Sequence, residues 1–201
     1  MAKLLDVNAA PATQSHKKRG IRKFLLWFGV VVVVVLSLLR PLGFLRPFRV
    51  PTGAMTPTLS RGDRFMMEGF TFRTRAPRRG DIVVFKTDGI GPLSSGTIYV
   101  KRVAGLPGDA LRISDGNLYA NDTHVRLENA AGDIRYVFLP GSIHLASRTD
   151  TVTVPKGHYF VLGDDSLRSS DSRFYGFVPA ENVIGRASFR YWPPSRIGLV
   201  K

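Results

Sequence analysis

The chain has 201 residues with 29 Lys and Arg against 15 Asp and Glu, a net charge of +14 that predicts attraction to a polyanion and a length suited to one medium domain plus a tail. It contains no cysteine, which excludes disulfides and thiolate metal sites. No zinc-finger spacing, basic-region helix or aromatic RNA-binding signature accompanies the charge, so anionic lipid is favoured over nucleic acid as a partner.

Residues 1–23 are polar, contain Pro11 and lack an apolar period, and are expected to be a disordered cytoplasmic tail. Residues 24–39 follow as a charge-free run of 16, with six consecutive valines. As a helix this run is about 24 Å long, a little short of a hydrocarbon core of about 30 Å. Trp27 on the near side and Leu42, Phe44 and Leu45 on the far side extend the apolar contact. A cleaved signal peptide is the competing reading, but no A-x-A-like site follows and Arg40-Pro41 closes the run. An uncleaved transmembrane anchor over 24–42 is therefore expected. Lys17, Lys18, Arg19, Arg22 and Lys23 precede the run, whereas only Arg40, Arg46 and Arg49 follow it. That asymmetry predicts a cytoplasmic N-terminus and an exported domain over 43–201.

Pro51-Thr52-Gly53-Ala54-Met55-Thr56-Pro57-Thr58-Leu59 comes next, a turn-rich segment expected to present the small side chain of Ala54 on exposed backbone near a membrane surface. Phe65, Met66, Met67, Phe70 and Phe72 then lie beside Arg73, Arg75, Arg78 and Arg79. Such a strip can dip into anionic lipid or simply fill the core.

Beyond this point short β-prone segments alternate with turns. Ile82–Phe85 reads as a strand, 88–96 as a Gly/Ser-rich loop, and 97–103 as a β-branched strand. Leu111–Ile113 and Leu118–Ala120 flank Asp115-Gly116, a hairpin signal. Residues 121–150 are polar and irregular, consistent with a small subdomain inserted at about 113–152. His158–Leu162 and Gly185–Tyr191 supply two more strands. The expected fold class is mainly β, folded antiparallel sheets with barrel-like closure.

Few residues suggest chemistry on their own. His16, His124, His144 and His158 show no metal-ligand spacing, and none lies in a catalytic-looking turn. Asp164-Asp165 reads as a solvated or ion-paired turn rather than a metal site, so neither metal nor cofactor is expected. Lys101 shares a strand face with Tyr99 and Val103, while Arg102 points the other way. Such a lysine is either a solvent-facing strand residue or, if buried, a general base neutral near pH 7. Ser169-Ser170-Asp171-Ser172-Arg173 is either a polar loop or a serine orienting an amine beside an Asp171–Arg173 pair.

Taken in order, the segments Val50–Leu59, Arg61-Gly62-Asp63-Arg64, Arg79–Phe85, Tyr99–Asp109, Gly163-Asp164-Asp165, Ser169–Arg173 and Tyr175–Pro179 resemble the type I signal peptidases over nearly all of 44–198. These are membrane-bound Ser/Lys endopeptidases that cut signal peptides from exported preproteins after small residues. The resemblance implies Lys101 as general base, position 54 as the nucleophile's place, Thr52 as oxyanion donor with the residue-54 N–H, and Ser169 as the serine that hydrogen-bonds the lysine amine. Asp171 and Arg173 correspond to a supporting ion pair. Segments 48–51 and 99–101 correspond to strands that clamp an extended substrate. Phe48, Val50, Pro51, Met55, Leu59, Tyr99 and Val100 are thereby implied as substrate contacts, with preprotein signal peptides and anionic membrane lipids as partners.

Four departures stand out. Asp165 replaces the usual Asn, Ser166-Leu167-Arg168 replaces a more polar trio, and the stretch between Asp109 and His158 is short. Most consequentially, the nucleophile's place holds Ala54, whose methyl group cannot attack a carbonyl, so no useful cleavage is expected. The intact Thr52, Lys101 and Ser169 favour a Ser→Ala replacement engineered into a working peptidase. The alternative is a natural, non-catalytic, membrane-tethered signal-peptide-binding protein.

Overall fold

The computed structural model describes residues 14–39 and 45–201. The chain divides into two compact units, Met1–Leu42 and Gly43–Lys201. In the first, α1 spans Gln14–Leu39, and Phe24, Leu25, Leu26, Trp27, Phe28 and Val30 to Val35 are exposed along it. The expected disordered tail is corrected over 14–23, which is helical. Gln, Lys and Arg are good helix formers, and extending an existing helix costs far less than starting one. The expected transmembrane anchor is also unsupported: among the described residues no helix is long and apolar enough to cross a membrane. The charge-free run itself has 16 residues, about 24 Å as a helix against a hydrocarbon core of about 30 Å. Arg40, Pro41, Leu42 and Phe44, invoked for the far flank, lie outside the described residues.

The second unit is mainly β. Its strands are β1 (Leu45–Arg49), β2 (Arg64–Glu68), β3 (Ile82–Lys86), β4 (Ile98–Gly105), β5 (Ala110–Ser114), β6 (Asn117–Ala120) and β7 (Thr123–Val125). They continue with β8 (Glu128–Asn129), β9 (Gly132–Asp133), β10 (Val152–Thr153), β11 (His158–Leu162), β12 (Val178–Pro179), β13 (Val183–Trp192) and β14 (Gly198–Leu199). Two single helical turns, α2 (Thr71–Thr74) and α3 (Ser172–Tyr175), interrupt them. The main sheet runs β1-β2-β13-β3-β4-β11-β12, with β14 beside β13, and its neighbouring strands are antiparallel. A second sheet runs β10-β5-β6-β7, and β8 pairs with β9.

β3 explains how the main sheet is stabilised. Ile82 and Val84 join one apolar cluster with Val50, Met55, Leu59 and Phe65. Val83 and Phe85 join another with Val103, Tyr159, Val161 and Tyr175. A strand covered on both faces needs an unbroken apolar run, which is what 82–85 supplies. The β5–β6 hairpin turns through Asp115 at φ 51° and Gly116 at φ 78°, the pair of left-handed conformations a tight two-residue hairpin loop requires.

The suspected lipid-facing strip is split by strand alternation. In β2, Phe65 and Met67 turn into the core at 2% and 1% exposure, leaving Met66 half-buried. Of the group, Phe70 remains openly exposed.

Candidate active site

The loop after β1 is held at its base by two backbone hydrogen bonds, Val50 N–H to Asp63 O and Gly62 N–H to Val50 O, both 2.9 Å. Inside it, Thr56 N–H donates to Gly53 O at 2.9 Å and Leu59 N–H to Met55 O at 2.8 Å. Met55 and Leu59 anchor this turn in the core. The Asp63 carboxylate accepts from Ser60 N–H at 2.8 Å and from Arg196 at 3.1 Å. Arginines also take the loop's outward carbonyls: Arg196 donates to Pro57 O and Arg190 to Thr58 O. Ala54 is thereby fixed beside the core residue Met55, and at 6% exposure it is buried, where exposed backbone was expected.

Lys101 lies on β4 opposite Val83 of β3. It is 5% exposed, which decides against a solvent-facing strand lysine. Desolvation by burial lowers its pKa from 10.5 to about 8, opposed by the fields of Asp171 and Asp164, while Arg173 adds to the lowering. No carboxylate among the described residues pairs with the amine, which lies 5.5 Å from the ring centre of Tyr99.

Arg102, on the opposite face, is equally buried and makes a bidentate pair with Asp164 at 2.7 and 2.6 Å. Thr58 donates its hydroxyl to the same carboxylate. Through Asp164 the loop holding Ala54 is tied to β4, a link invisible in the sequence because neither Arg102 nor Asp164 reads as buried there. Gly163 completes the contact. A Cβ at this position would stand 2.5 Å from both the Ala54 carbonyl oxygen and Ser169 Cβ, so only glycine fits.

Asp171 and Arg173 form the expected pair, fully buried and bidentate at 2.9 and 2.8 Å. Arg173 also donates to Val137 O and to Ser166, and Asp171 accepts from Gly163 N–H at 3.1 Å. Ser169 is buried, but its hydroxyl makes no hydrogen bond to Lys101 or to any other described residue. It packs against Gly163, and the amine rests near the Tyr99 ring instead.

A cleft of about 200 Å³ gathers these groups. It is lined by Val50, Pro51, Thr52, Ala54 and Met55 of the loop after β1, by Ile98, Tyr99, Val100 and Lys101 of β4, and by Arg168 and Ser170. Two expected contacts do not line it. Phe48 is stacked on Phe65, ring centres 5.8 Å apart, and Leu59 is wholly buried. The flanking backbone is free to pair. β1 is the outermost strand of its sheet, and β4 pairs with β11 only from Arg102 onward, leaving the far edge of 98–101 open. A larger cleft, about 660 Å³, lies near Arg190 and Arg196. Those guanidiniums already hold the loop, so volume does not mark the chemistry here.

The family described as "Signal peptidase, peptidase S26" matches residues 21–192. "Probable signal peptidase I-2" of Synechocystis sp. is 40% identical over 152 residues, covering 75% of this chain and 65% of that protein. "Thylakoidal processing peptidase 1, chloroplastic" of Arabidopsis thaliana is 37% identical, covering 82% of this chain and 47% of the other. "Signal peptidase I" of Bacillus caldolyticus is 35% identical, covering 90% and 95%. The chain thus spans about two thirds of the cyanobacterial relative and about half of the plant one.

Proposed function

Because this chain belongs to the signal peptidase family, peptidase S26, we propose that its cleft is built to hold the end of a preprotein's signal peptide and to present the bond after an A-x-A sequence to position 54. The observation that carries this reading is that Ala54 and Lys101, 47 positions apart in the sequence, line one cleft. The edge of β1 running into 48–51 and the open edge of 98–101 suit strand addition by an extended peptide. Val50, Pro51, Met55, Tyr99 and Val100 are assigned the side-chain contacts.

With a serine at 54, the neutral Lys101 amine takes the hydroxyl proton as the oxygen attacks the scissile carbonyl carbon. The resulting oxyanion accepts hydrogen bonds from the residue-54 N–H and the Thr52 hydroxyl. The Lys101 ammonium then protonates the departing amine, and water, deprotonated by the same lysine, hydrolyses the acyl-enzyme ester. Ser169 is assigned the positioning of the amine, on the strength of its buried hydroxyl, which has no hydrogen-bond partner among the described residues. Asp171 and Arg173 hold the backbone behind it.

As the chain stands, Ala54 has no oxygen to form the ester, so it binds substrate without turnover. Membrane association is part of the proposal, supported by the exposed Phe, Leu, Trp and Val side chains of α1 and the +14 charge.

The test is Ala54→Ser in the full chain, in detergent or lipid, with a preprotein carrying an A-x-A site. Cleavage after that site, abolished by adding Lys101→Ala, is expected. A folded Ala54→Ser chain that cuts no preprotein sinks the peptidase reading. Signal-peptide binding without turnover in that variant supports the non-catalytic receptor instead.

A further inference from the structure

We infer that the cleft adjoining the catalytic one receives the substrate segment following the cut bond, and that Arg168, at the junction, selects an acidic side chain among its first three residues. This rests on the peptidase reading of the first cleft. The two clefts share Arg168 and Ser170 in their linings. The second, about 410 Å³, is lined besides by Leu139, Pro140, Leu167, Ser169 and Phe174. A peptide clamped by 48–51 and 98–101 through the residues before the cut continues past Lys101 toward Ser170, and so into the second cleft.

Two side chains at that entrance are poised for a partner. Leu167 is 70% exposed, an apolar group at the mouth of an apolar cleft. The Arg168 side chain is 82% exposed, and its carboxylate neighbour, Asp165, stands 3.8 Å away. A pair this long, with its guanidinium in solvent, is weak, so a substrate carboxylate can join or displace it. The guanidinium fork suits a carboxylate, and the strongly positive chain disfavours a basic side chain at the same place. Arg168 lines the same cleft as Ala54, and an extended peptide advances only about 3.3 Å per residue, so the residues to test are the first few after the cut.

The experiment uses the full Ala54→Ser chain and A-x-A preproteins carrying either Glu or Lys at each of the first three positions after the cut. At low salt, Glu is expected to exceed Lys by roughly fivefold in kcat/KM at one position, with the ratio shrinking as salt rises. Adding Arg168→Glu should invert the ratio and leave the A-x-A requirement intact, whereas Arg126→Glu, at an exposed arginine elsewhere, should leave it unchanged. Equal rates at all three positions, or a preference that survives Arg168→Glu, overturn the inference while cleavage itself stands. If the serine variant cuts nothing, the peptidase reading fails separately. Fluorescence anisotropy of the same peptides on the Ala54 chain then decides for Arg168: a Glu preference reversed by Arg168→Glu sustains its role, and equal affinities reject it.

Discussion

The carbonyl oxygen of Ala54 accepts a hydrogen bond from the backbone N–H of Asp165 at 3.1 Å. That bond joins the loop after β1 to the turn after β11, segments more than 100 residues apart in the chain. Gly163 lies against the same carbonyl, and Asp164 grips Thr58 and Arg102. Three consecutive residues therefore set where position 54 sits relative to Lys101.

Gly163→Ala should disturb this junction directly. Its methyl group would overlap the Ala54 carbonyl and Ser169, costing about 1–3 kcal/mol of overpacking. Denaturant unfolding of the Ala54 chain measures it. In the Ala54→Ser background the same change should lower kcat. An unchanged midpoint together with an unchanged kcat would show that the junction is not tight.

Asp164→Ala leaves the Arg102 guanidinium buried without its carboxylate, and should cost about 3–5 kcal/mol. Replacing both partners by apolar residues, Arg102→Met with Asp164→Leu, should recover much of that loss, since the pair's net worth over an apolar contact is small. Thermal unfolding of the two variants compares them. A single variant as stable as the parent would contradict the buried-pair account.

Lys101 predicts a pH dependence of stability. Its folded pKa, about 8, lies below the unfolded 10.5, so between those values the unfolded chain binds more protons. Stability from this group should therefore rise as pH climbs from about 8 to 10.5, by at most about 3 kcal/mol. Below pH 8 the full cost of burying the ammonium is present. Lys101→Met should abolish this rise, as read from denaturation midpoints across that pH range; a rise of the same size in Lys101→Met would assign it elsewhere.

The same group sets the acid limb of activity. In the Ala54→Ser chain, kcat/KM should increase about tenfold per pH unit below pH 8 and level off above it, as Lys101 loses its proton. A profile already flat at pH 6 would remove Lys101 from the role of base.

Individual elements differed in how openly the sequence announced them. The strand at 82–86 and the Asp115-Gly116 hairpin were legible because an unbroken apolar run and a left-handed turn pair are local signals. β2 was not read as a strand, since its alternation became visible only once Phe65 and Met67 had found the core. The helical turn at Ser172–Tyr175 was also missed, because one turn capped by Asp171 carries no periodicity. For the site, the resemblance named Lys101, Asp171 and Arg173, but it also named Phe48 and Leu59, which packing turned away from the cleft. Gly163, Arg102 and Thr58 carry no role legible in the sequence, since each meets a partner more than 40 positions away, Ala54 for Gly163 and Arg102 with Thr58 for each other.

By itself the sequence determined the absence of thiol chemistry, the strongly cationic character, six of the strands and the methyl group at position 54, all properties of composition or of a few adjacent residues. The tertiary structure decided the protonation of Lys101. A lysine on a strand is ordinarily wet and charged, and only the folded sheets, by excluding water and leaving no carboxylate of the described residues within pairing distance, bring its amine toward neutrality. Burial depends on distant parts of the chain, and no local pattern of residues encodes it.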